Sequence, residues 1–500
     1  MIQQKQLYWT LQDFINSSDS DHNNLKIFLN QNNVQDQHIS NLAMKLVKFQ
    51  HVIKLELSLS NNQIGEFGAK CIGFSLKSLP NLSILIVLIE NNYIGDSGFN
   101  GADNLFSNCL YLKNFKLQIC RNQIGKLGSQ NLAISLKRVS NLQMLTLDFS
   151  GNQIGSEGAQ ILASELIQCQ KLSYLSLFLI QNNINDEGAR DLGEIITKCV
   201  NLKTFKICLK YNNIDDESLK AVSLGLYNCI NLQNLVLNLN SNNIKELGAS
   251  CIGQAIAKCG LLQNLELNFQ DTKIGAQGVD LLCFALSKSI TISKFNFKID
   301  NIPIRNRGIF YLSQCFPIIK NLQHLVLSLM QNKFSGQGVS NLAKQLVNCQ
   351  NLSLLKLHFS QCLISNYGIQ NLSLILSQLT NLSSLILDLS YNRIDQDGIS
   401  NLSYQLANCP FQSFEFKNQY HLQNSGDFKC CYDLLAQNCL SLSTDCISSL
   451  LKQVACSQMK CPSPTSAFIT KFCLQEICKP DFFGLNKLNE EFVECLFSSS

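Results

Sequence analysis

The segment NLQMLTLDFSGNQIGSEGAQILASELIQCQ, from Asn141 to Gln170, decides the fold of this chain. Leu145, Leu147 and Phe149 are separated by single residues, which is the period of a strand that buries one face. Asn152 and two glycines follow, and apolar residues then recur at helical spacing. The segment therefore predicts one strand, one turn and one helix.

The same pattern recurs every 30 residues from Asp21 to Pro410, through thirteen units without insertion or deletion. The position of Leu166 is a large apolar residue in every unit. A single unit cannot bury both its strand and its helix, whereas stacked units can. The sequence predicts an α/β solenoid, curved as a horseshoe, with a parallel sheet inside and helices outside.

The position of Asn152 is an asparagine in ten of the thirteen units. A side-chain amide both donates and accepts hydrogen bonds, so stacked asparagines are expected to form a ladder that satisfies the backbone of the turns. The position of Gly158 is glycine in 11 units, which indicates either a positive φ or tight packing there. The ladder positions are Asn32, Asn62, Asn92, Asn122, Asn152, Asn182, Asn212, Asn242, Asn332 and Asn392.

The ladder is interrupted in the two units from Leu261 to Lys320, where Thr272 and Ile302 replace the asparagine. Ile302 cannot form a side-chain hydrogen bond, and Pro303 removes a backbone donor. We expect a change of curvature or a soft seam near residues 296–306. A hinge between two binding segments is one interpretation, and a tolerated lesion is the one we favour.

The two ends of the chain depart from the repeat. Residues 1–20 predict an N-terminal cap in which Trp9 and Phe14 belong to an amphipathic helical cover, together with Leu7 and Leu11. Residues 411–500 predict a cysteine-rich C-terminal cap or a partly disordered tail. The run Phe411 to Phe416 is strand-like and is expected to begin that cap.

Composition excludes several classes of protein. The 500 residues are 46% hydrophobic and 15% charged with a net charge of +4, which argues against intrinsic disorder and against nucleic-acid binding. No apolar run reaches 18 residues, so we expect no membrane insertion. The first ten residues lack the pattern of a secretory signal. The 23 cysteines are therefore expected to be mostly thiols.

The outward positions of the inner strands form the predicted binding surface. Exposed aromatic side chains beside lysines are typical of a site that binds protein, and ordinary surface scatter is the alternative. A second apolar spot is predicted at Ile84, Ile86 and Leu88. The candidate binding residues are Lys116, Met144, Tyr174, Phe178, Ile180, Lys206, Lys210 and Tyr211.

Catalytic chemistry finds little support. Ser328, His358 and Asp388 share one strand position in successive units, but no nucleophile elbow or oxyanion hole accompanies them. Asp481-Phe482-Phe483-Gly484 is not a D-F-G motif, and 90 residues after Pro410 are too few for a kinase fold. No Walker A sequence is present. We therefore expect no catalytic residue and no cofactor.

Metal binding is also disfavoured. Seven cysteines recur once per unit, which indicates small buried residues rather than four ligands gathered at one point. In the tail, the spacings Cys456-x4-Cys461 and Cys473-x4-Cys478 lack the zinc-site pattern C-x2-C. The recurring cysteines are Cys109, Cys169, Cys199, Cys229, Cys259, Cys349 and Cys409.

The pattern L-x-x-L-x-L-x-L-x-x-N-x-I-G-x-x-G-A resembles leucine-rich repeats of the ribonuclease-inhibitor type, over about 390 of the 500 residues. That type includes repeats of NOD-like receptors and of Ran GTPase-activating proteins. The units depart from it in running to 30 residues, because the strand carries an extra pair, as in Leu55 to Leu59. Two added residues preserve the pleat. The long strand and the composition look like the expanded leucine-rich-repeat families of ciliated protozoa.

The resemblance implies a non-enzymatic scaffold that binds a partner protein on its concave face, as a monomer in the cytoplasm. A basic ribonuclease is a poor candidate partner, because the concave positions are not strongly acidic. Two alternatives remain. One is a GTPase-activating module like the Ran GTPase-activating proteins, although their acidic tail is missing here. The other is a structural component of a ciliary or cytoskeletal assembly. A kinase name would have no support in these residues.

Overall fold

A computed structural model describes residues 5–17, 22–100, 106, 108–406, 409 and 411–418. Within these ranges, fifteen parallel strands form one sheet in sequence order and thirteen α-helices lie on its outer side. The predicted leucine-rich-repeat solenoid is therefore confirmed. The boundaries of the two caps stay predictions, and residues 419–500 lie outside the described part.

The inner sheet begins with β1 (Lys5–Tyr8), β2 (Asn24–Phe28), β3 (Lys54–Ser58), β4 (Ile84–Leu88) and β5 (Asn114–Gln118). It continues with β6 (Met144–Asp148), β7 (Tyr174–Phe178), β8 (Thr204–Cys208), β9 (Asn234–Asn238) and β10 (Asn264–Asn268). It ends with β11 (Lys294–Lys298), β12 (His324–Ser328), β13 (Leu354–His358), β14 (Ser384–Asp388) and β15 (Ser413–Lys417).

The outer layer begins with α1 (Leu11–Asn16), α2 (Asp36–Leu46), α3 (Glu66–Leu76), α4 (Lys126–Leu136), α5 (Gly155–Leu166), α6 (Asp186–Lys198) and α7 (Asp216–Tyr227). It continues with α8 (Glu246–Ile256), α9 (Gly275–Leu286), α10 (Arg305–Cys315), α11 (Gly336–Leu346), α12 (Asn366–Leu376) and α13 (Gln396–Leu406). Short 3-10 turns occupy Asp96–Phe99 and Phe316–Ile318.

The strands pair with a constant offset of 30 residues from β2 to β14, so equivalent side chains stand in rows across the sheet. Leu145 pairs with Leu175, for example, and Leu175 with Phe205. These inward residues are buried, as is the residue at the position of Leu166 in every unit. Since a fully buried Leu contributes about 1.5–3 kcal/mol, one continuous core holds the units in register.

Tight packing, not a positive φ, explains the glycine at the position of Gly158. A Cβ there would lie 2.6 Å from Ile154 Cγ2 and 2.8 Å from Ser129 Oγ. The positive-φ alternative is wrong for this position. The left-handed residue is instead the one directly before each ladder position, in all thirteen units, and only Gly151 among them is a glycine. Its backbone N–H donates to the next unit, as Tyr211 N does to Asn240 O at 3.1 Å.

The N-terminal cover is not purely helical, as the sequence analysis had expected. β1 adds a strand to the sheet by pairing with β2, and only the short helix α1 follows. Phe14 is fully buried, with its ring centroid 5.4 Å from that of Phe49. Trp9, by contrast, is 64% exposed and contacts the ring of Phe28. Trp9 therefore does not belong to the cover, because the strand conformation turns it to the open face.

At the other end, the predicted strand-like run forms β15, which pairs with β14 in the same parallel register. Phe414 and Phe416 are half-buried and lie at the edge of the core. The sheet thus extends one strand beyond the thirteen repeat units at each end.

Candidate functional site

The asparagine ladder supports the turns that border the concave face. Asn212 Nδ2 donates to Leu179 O at 2.9 Å and to Leu209 O at 3.0 Å, and Asn212 Oδ1 accepts from the N–H groups of Asn182 and Ile184 at 3.1 and 3.0 Å. One amide therefore completes the turn of its own unit and that of the preceding unit. Asn62, Asn92, Asn122, Asn152, Asn182, Asn242 and Asn392 make equivalent donor bonds, whereas Asn32, at the start of the ladder, is exposed.

The ladder is interrupted from Thr272 to Cys362. Thr272 Oγ1 donates to Phe269 O at 2.6 Å, and Ile302 is buried with no polar side-chain atom. Asn332 Oδ1 is buried without a partner, because Ile304 N bonds to Ile302 O at 2.6 Å instead of to this amide. The sheet nevertheless keeps its register here. A soft seam at residues 296–306 stays a prediction.

The predicted binding residues fall into close pairs on β7, β8 and the turn after β8. Lys206 Nζ lies 5.7 Å from the ring centroid of Tyr174, and Lys210 Nζ lies 4.7 Å from the ring centroid of Tyr211. Both separations suit a cation–π contact. Tyr211 is 54% exposed and stands on the left-handed residue of its turn, with φ 53°. Lysine and tyrosine thus alternate along this edge of the concave face.

The apolar members of the predicted site adjoin these pairs. Met144 pairs with Tyr174 across the sheet and is 42% exposed. Phe178 stands between Asp148 and Cys208 in the next row but one, and Ile180 follows it on the same chain. Both are half-buried. Together these side chains offer a ridge of aromatic and aliphatic surface beside positive charge.

Lys116 lies apart from the other candidates. It is on β5, two strands from Tyr174, which is about 10 Å. It adjoins an acidic group instead: burial raises the pKa of Glu90, the charge of Asp148 adds to the rise, and Lys116 and Arg121 oppose it. Glu90 and Arg121 were missed by the sequence analysis, which considered strand positions and not the turns that follow them.

The second predicted spot is confined to β4. Ile84, Ile86 and Leu88 are half-buried and stand on the open face of the sheet. Their neighbours in the adjacent strands include Lys54, Glu56 and Lys116. The spot is therefore narrow and bordered by charge.

Ser328, His358 and Asp388 do lie in one row, but they do not form a catalytic relay. Ser328 Oγ donates to Asp300 Oδ2 at 2.9 Å, and Asp388 Oδ1 accepts from Ser390 N at 3.0 Å. Burial lowers the pKa of His358 despite the nearby carboxylates. The serine hydroxyl thus serves a buried carboxyl and not the imidazole.

The recurring cysteines are structural thiols. Cys109 Sγ donates to Leu76 O at 3.5 Å, and Cys259 Sγ donates to Leu226 O at 3.4 Å. Burial raises the pKa of Cys169 and of Cys199 to about 12, so neither is a nucleophile at neutral pH. Among the described residues, no group of three or more potential ligands could hold a metal ion. The tail cysteines lie outside them.

Within the described ranges, no helix is long and apolar enough to cross a lipid bilayer.

A strand, an asparagine-supported turn and an outer helix in each unit define a leucine-rich-repeat solenoid. A sequence profile described as "Leucine Rich repeat" matches residues 141–163 and 383–403, two of these units. No curated protein sequence matches the chain significantly.

Solved structures with a similar fold come from bacteria. An internalin of Listeria monocytogenes is 18% identical, with 75% of this chain and 83% of that chain covered and a TM-score of 0.40. A leucine-rich-repeat protein of Leptospira interrogans is 17% identical, with 83% of this chain and 100% of that chain covered and a TM-score of 0.41.

Proposed function

We propose that this protein is a non-enzymatic scaffold that binds a partner protein through the concave face of β6 to β8 and the turn carrying Tyr211. The observation that supports this most directly is the pairing of Lys206 with Tyr174 and of Lys210 with Tyr211. Rigid aromatic side chains lose little conformational entropy on binding, and they are frequent among residues that dominate interface energy. The lysines favour a partner with an acidic or carbonyl-rich surface.

We further propose that the repeats are of the ribonuclease-inhibitor type, because each complete unit places an α-helix of 11 to 13 residues opposite its strand. An origin in the expanded families of ciliated protozoa and a cytoplasmic location belong to the same proposal. Their support is the composition and the 30-residue period.

Affinity capture from native lysate tests the scaffold. Wild type is compared with a variant carrying Tyr174→Ala, Phe178→Ala, Lys206→Glu and Lys210→Glu. The matched control carries His324→Ala, Leu354→Ala, Lys294→Glu and Lys356→Glu on the same face at β11 to β13. Circular dichroism establishes that all three chains are folded.

A partner that binds wild type and the control but not the first variant supports the proposed surface. A partner that binds all three chains moves the site elsewhere on the molecule. Stimulated GTP hydrolysis by a captured GTPase would favour the GTPase-activating alternative. Stable co-sedimentation with axonemes or microtubules would favour the structural one.

A further inference from the structure

The connections between each helix and the next strand form one edge of the solenoid, here called the strand-start edge. It comprises twelve segments of seven residues, from 47–53 to 377–383 at intervals of 30. These segments contain eleven basic residues and not a single Asp or Glu. The basic residues are Lys48, Lys77, Lys113, Lys137, Arg138, Lys171, Lys198, Lys203, Lys258, Lys288 and Lys320.

The opposite edge, where each strand leads into the next helix, differs. Its thirteen segments, from 29–36 to 389–396, contain eleven acidic and eight basic residues. Charge is thus segregated between the two edges, although the whole chain has a net charge of only +4.

The charges of the strand-start edge face solvent. Ten of the eleven basic residues are exposed, and Lys77 is half-buried. Lys137 pairs with Glu165 at 2.9 Å. The nine other lysines form no salt bridge within the described part of the chain. Their positive potential is therefore not neutralised by carboxylates of this molecule.

Aliphatic and aromatic side chains project from the same edge. Ile230 is 72% exposed and Ile290 is 66% exposed. Others in these segments are Ile53, Leu110, Tyr111, Val200, Tyr227, Leu261 and Ile318. Large apolar side chains at protruding positions are costly in water, and a row of them marks a surface that becomes covered.

A second asparagine ladder fixes the backbone beneath these side chains. Asn141 Nδ2 donates to Leu110 O at 2.8 Å, Asn231 Nδ2 to Val200 O at 2.9 Å, and Asn321 Nδ2 to Ile290 O at 2.8 Å. The carbonyl of each protruding residue is already satisfied by the next unit. Such a residue can leave water for an apolar medium without exposing an unpaired carbonyl.

We propose that the strand-start edge docks peripherally on an anionic lipid surface, with its lysines at the headgroups and its aliphatic tips among the outer acyl carbons. Each lysine near an anionic membrane adds to the attraction, and apolar side chains at the interface add to it further. The contact needs no membrane-spanning segment.

The helix dipole alone does not account for this edge. Lysines near helix C-termini are favourable, but acids are tolerated there too, since Glu165 and Glu194 occupy the ends of α5 and α6. Lys113, Lys203 and Lys320 stand beyond the helices, in the connections to the strands. The dipole also gives no reason for exposed aliphatic tips.

A lipid surface fits the edge better than a nucleic acid or an acidic peptide. Ten of the eleven basic residues are lysine, whereas phosphate recognition in nucleic acids favours the planar guanidinium of arginine. Isoleucine and valine cannot stack on bases. The tips protrude from an edge and do not line a groove, so they suit a flat apolar layer.

Vesicle co-sedimentation of the full chain tests the proposal, with neutral phosphatidylcholine vesicles and with vesicles containing about 30% phosphatidylserine. Variant one carries Lys171→Glu, Lys198→Glu and Lys203→Glu. Variant two carries Val200→Ser, Ile230→Ser and Ile290→Ser. The control, Lys245→Glu, Lys273→Glu and Lys333→Glu, makes the same change in net charge on the opposite edge.

We expect wild type to bind the anionic vesicles and not the neutral ones, and binding to weaken as salt rises. Variant one should bind at least about tenfold more weakly and variant two about threefold or more, with the control unchanged. Absence of binding to anionic vesicles at low salt would overturn the proposal. So would an equal loss in the control, or tighter binding to polyglutamate or RNA than to vesicles.

Discussion

Asn212 and Asn332 occupy equivalent ladder positions, yet their surroundings differ. Asn212 takes part in five hydrogen bonds, whereas Asn332 donates to Ile299 O and Met330 O and its Oδ1 has no partner. The strands pair in the same register in both regions. The comparison teaches that the buried leucines set the register, and that the ladder has the separate task of satisfying the turns.

The largest expected effect comes from removing the amide in each region. Asn212→Ala leaves two backbone N–H groups and two carbonyls short of partners and should lower the free energy of unfolding by about 3 kcal/mol. Asn332→Ala should lower it by about 1.5 kcal/mol, since no acceptor bond is lost. Urea denaturation of both variants measures the difference. Equal losses would mean that the amide oxygen contributes nothing.

Repair of the interrupted ladder should stabilise the chain. Cys362→Asn supplies an amide oxygen for the backbone N–H groups of Asn332 and Phe334, as Asn212 does for its preceding unit. Cys362 is buried, with Sγ 3.3 Å from Leu329 O, so the site already holds a polar group. We expect a gain of about 1 kcal/mol in the free energy of unfolding. Cys362→Ser is the control, and the prediction fails if serine is as stabilising as asparagine.

A buried carboxyl in the interrupted region should make its stability depend on pH. Asp300 accepts from Ser328 Oγ at 2.9 Å and from Met330 N at 2.8 Å, the same two bonds that Asn30 accepts from Ser58 Oγ and Ser60 N. Burial raises the pKa of Asp300. The folded chain therefore binds this proton more tightly than the unfolded chain, and stability falls as pH rises through the folded pKa.

Asp300→Asn removes that titration while it keeps both hydrogen bonds. The variant should exceed wild type in stability at neutral pH, and the difference should shrink as pH falls below the ordinary range of an aspartate. Thermal unfolding of both chains from about pH 4 to about pH 8 measures this. A constant difference across that range would show that the carboxyl does not titrate as its burial requires.

The smallest expected effect concerns Arg305, whose φ is 55°. The equivalent residues Gly155 and Gly275 have φ of 67° and 58° and adopt this conformation without steric cost. Arg305→Gly should therefore raise the free energy of unfolding by about 0.5–1 kcal/mol. Arg305→Ala retains the strain and serves as the control. A gain in both variants would point to the side chain and not to the backbone.

The strands, the helices and the buried leucines could be predicted because their periods of two and 3.6 are visible within one unit. The left-handed residues before the ladder could not, because Gln, Asn, Arg, Tyr, Ser and Asp all occupy them. Their conformation is imposed by a hydrogen bond to the next unit.

Periodicity also located the concave candidates, whereas it did not show which would meet. Tyr174 and Lys206 are 32 residues apart and pair diagonally across two strands. Trp9 was misplaced because strand β1 forms by pairing with β2, a non-local contact that residues 1–20 do not reveal.

The direction of the ladder has a consequence for synthesis of the chain. The turn at Asn182 and Ile184 obtains its acceptor from Asn212, which lies in the following unit. A chain that emerges from the ribosome N-terminus first therefore exposes each turn unfinished until the next unit has followed it. Folding should then trail elongation by one unit, with a longer wait at Asn332, where the succeeding Cys362 brings no amide.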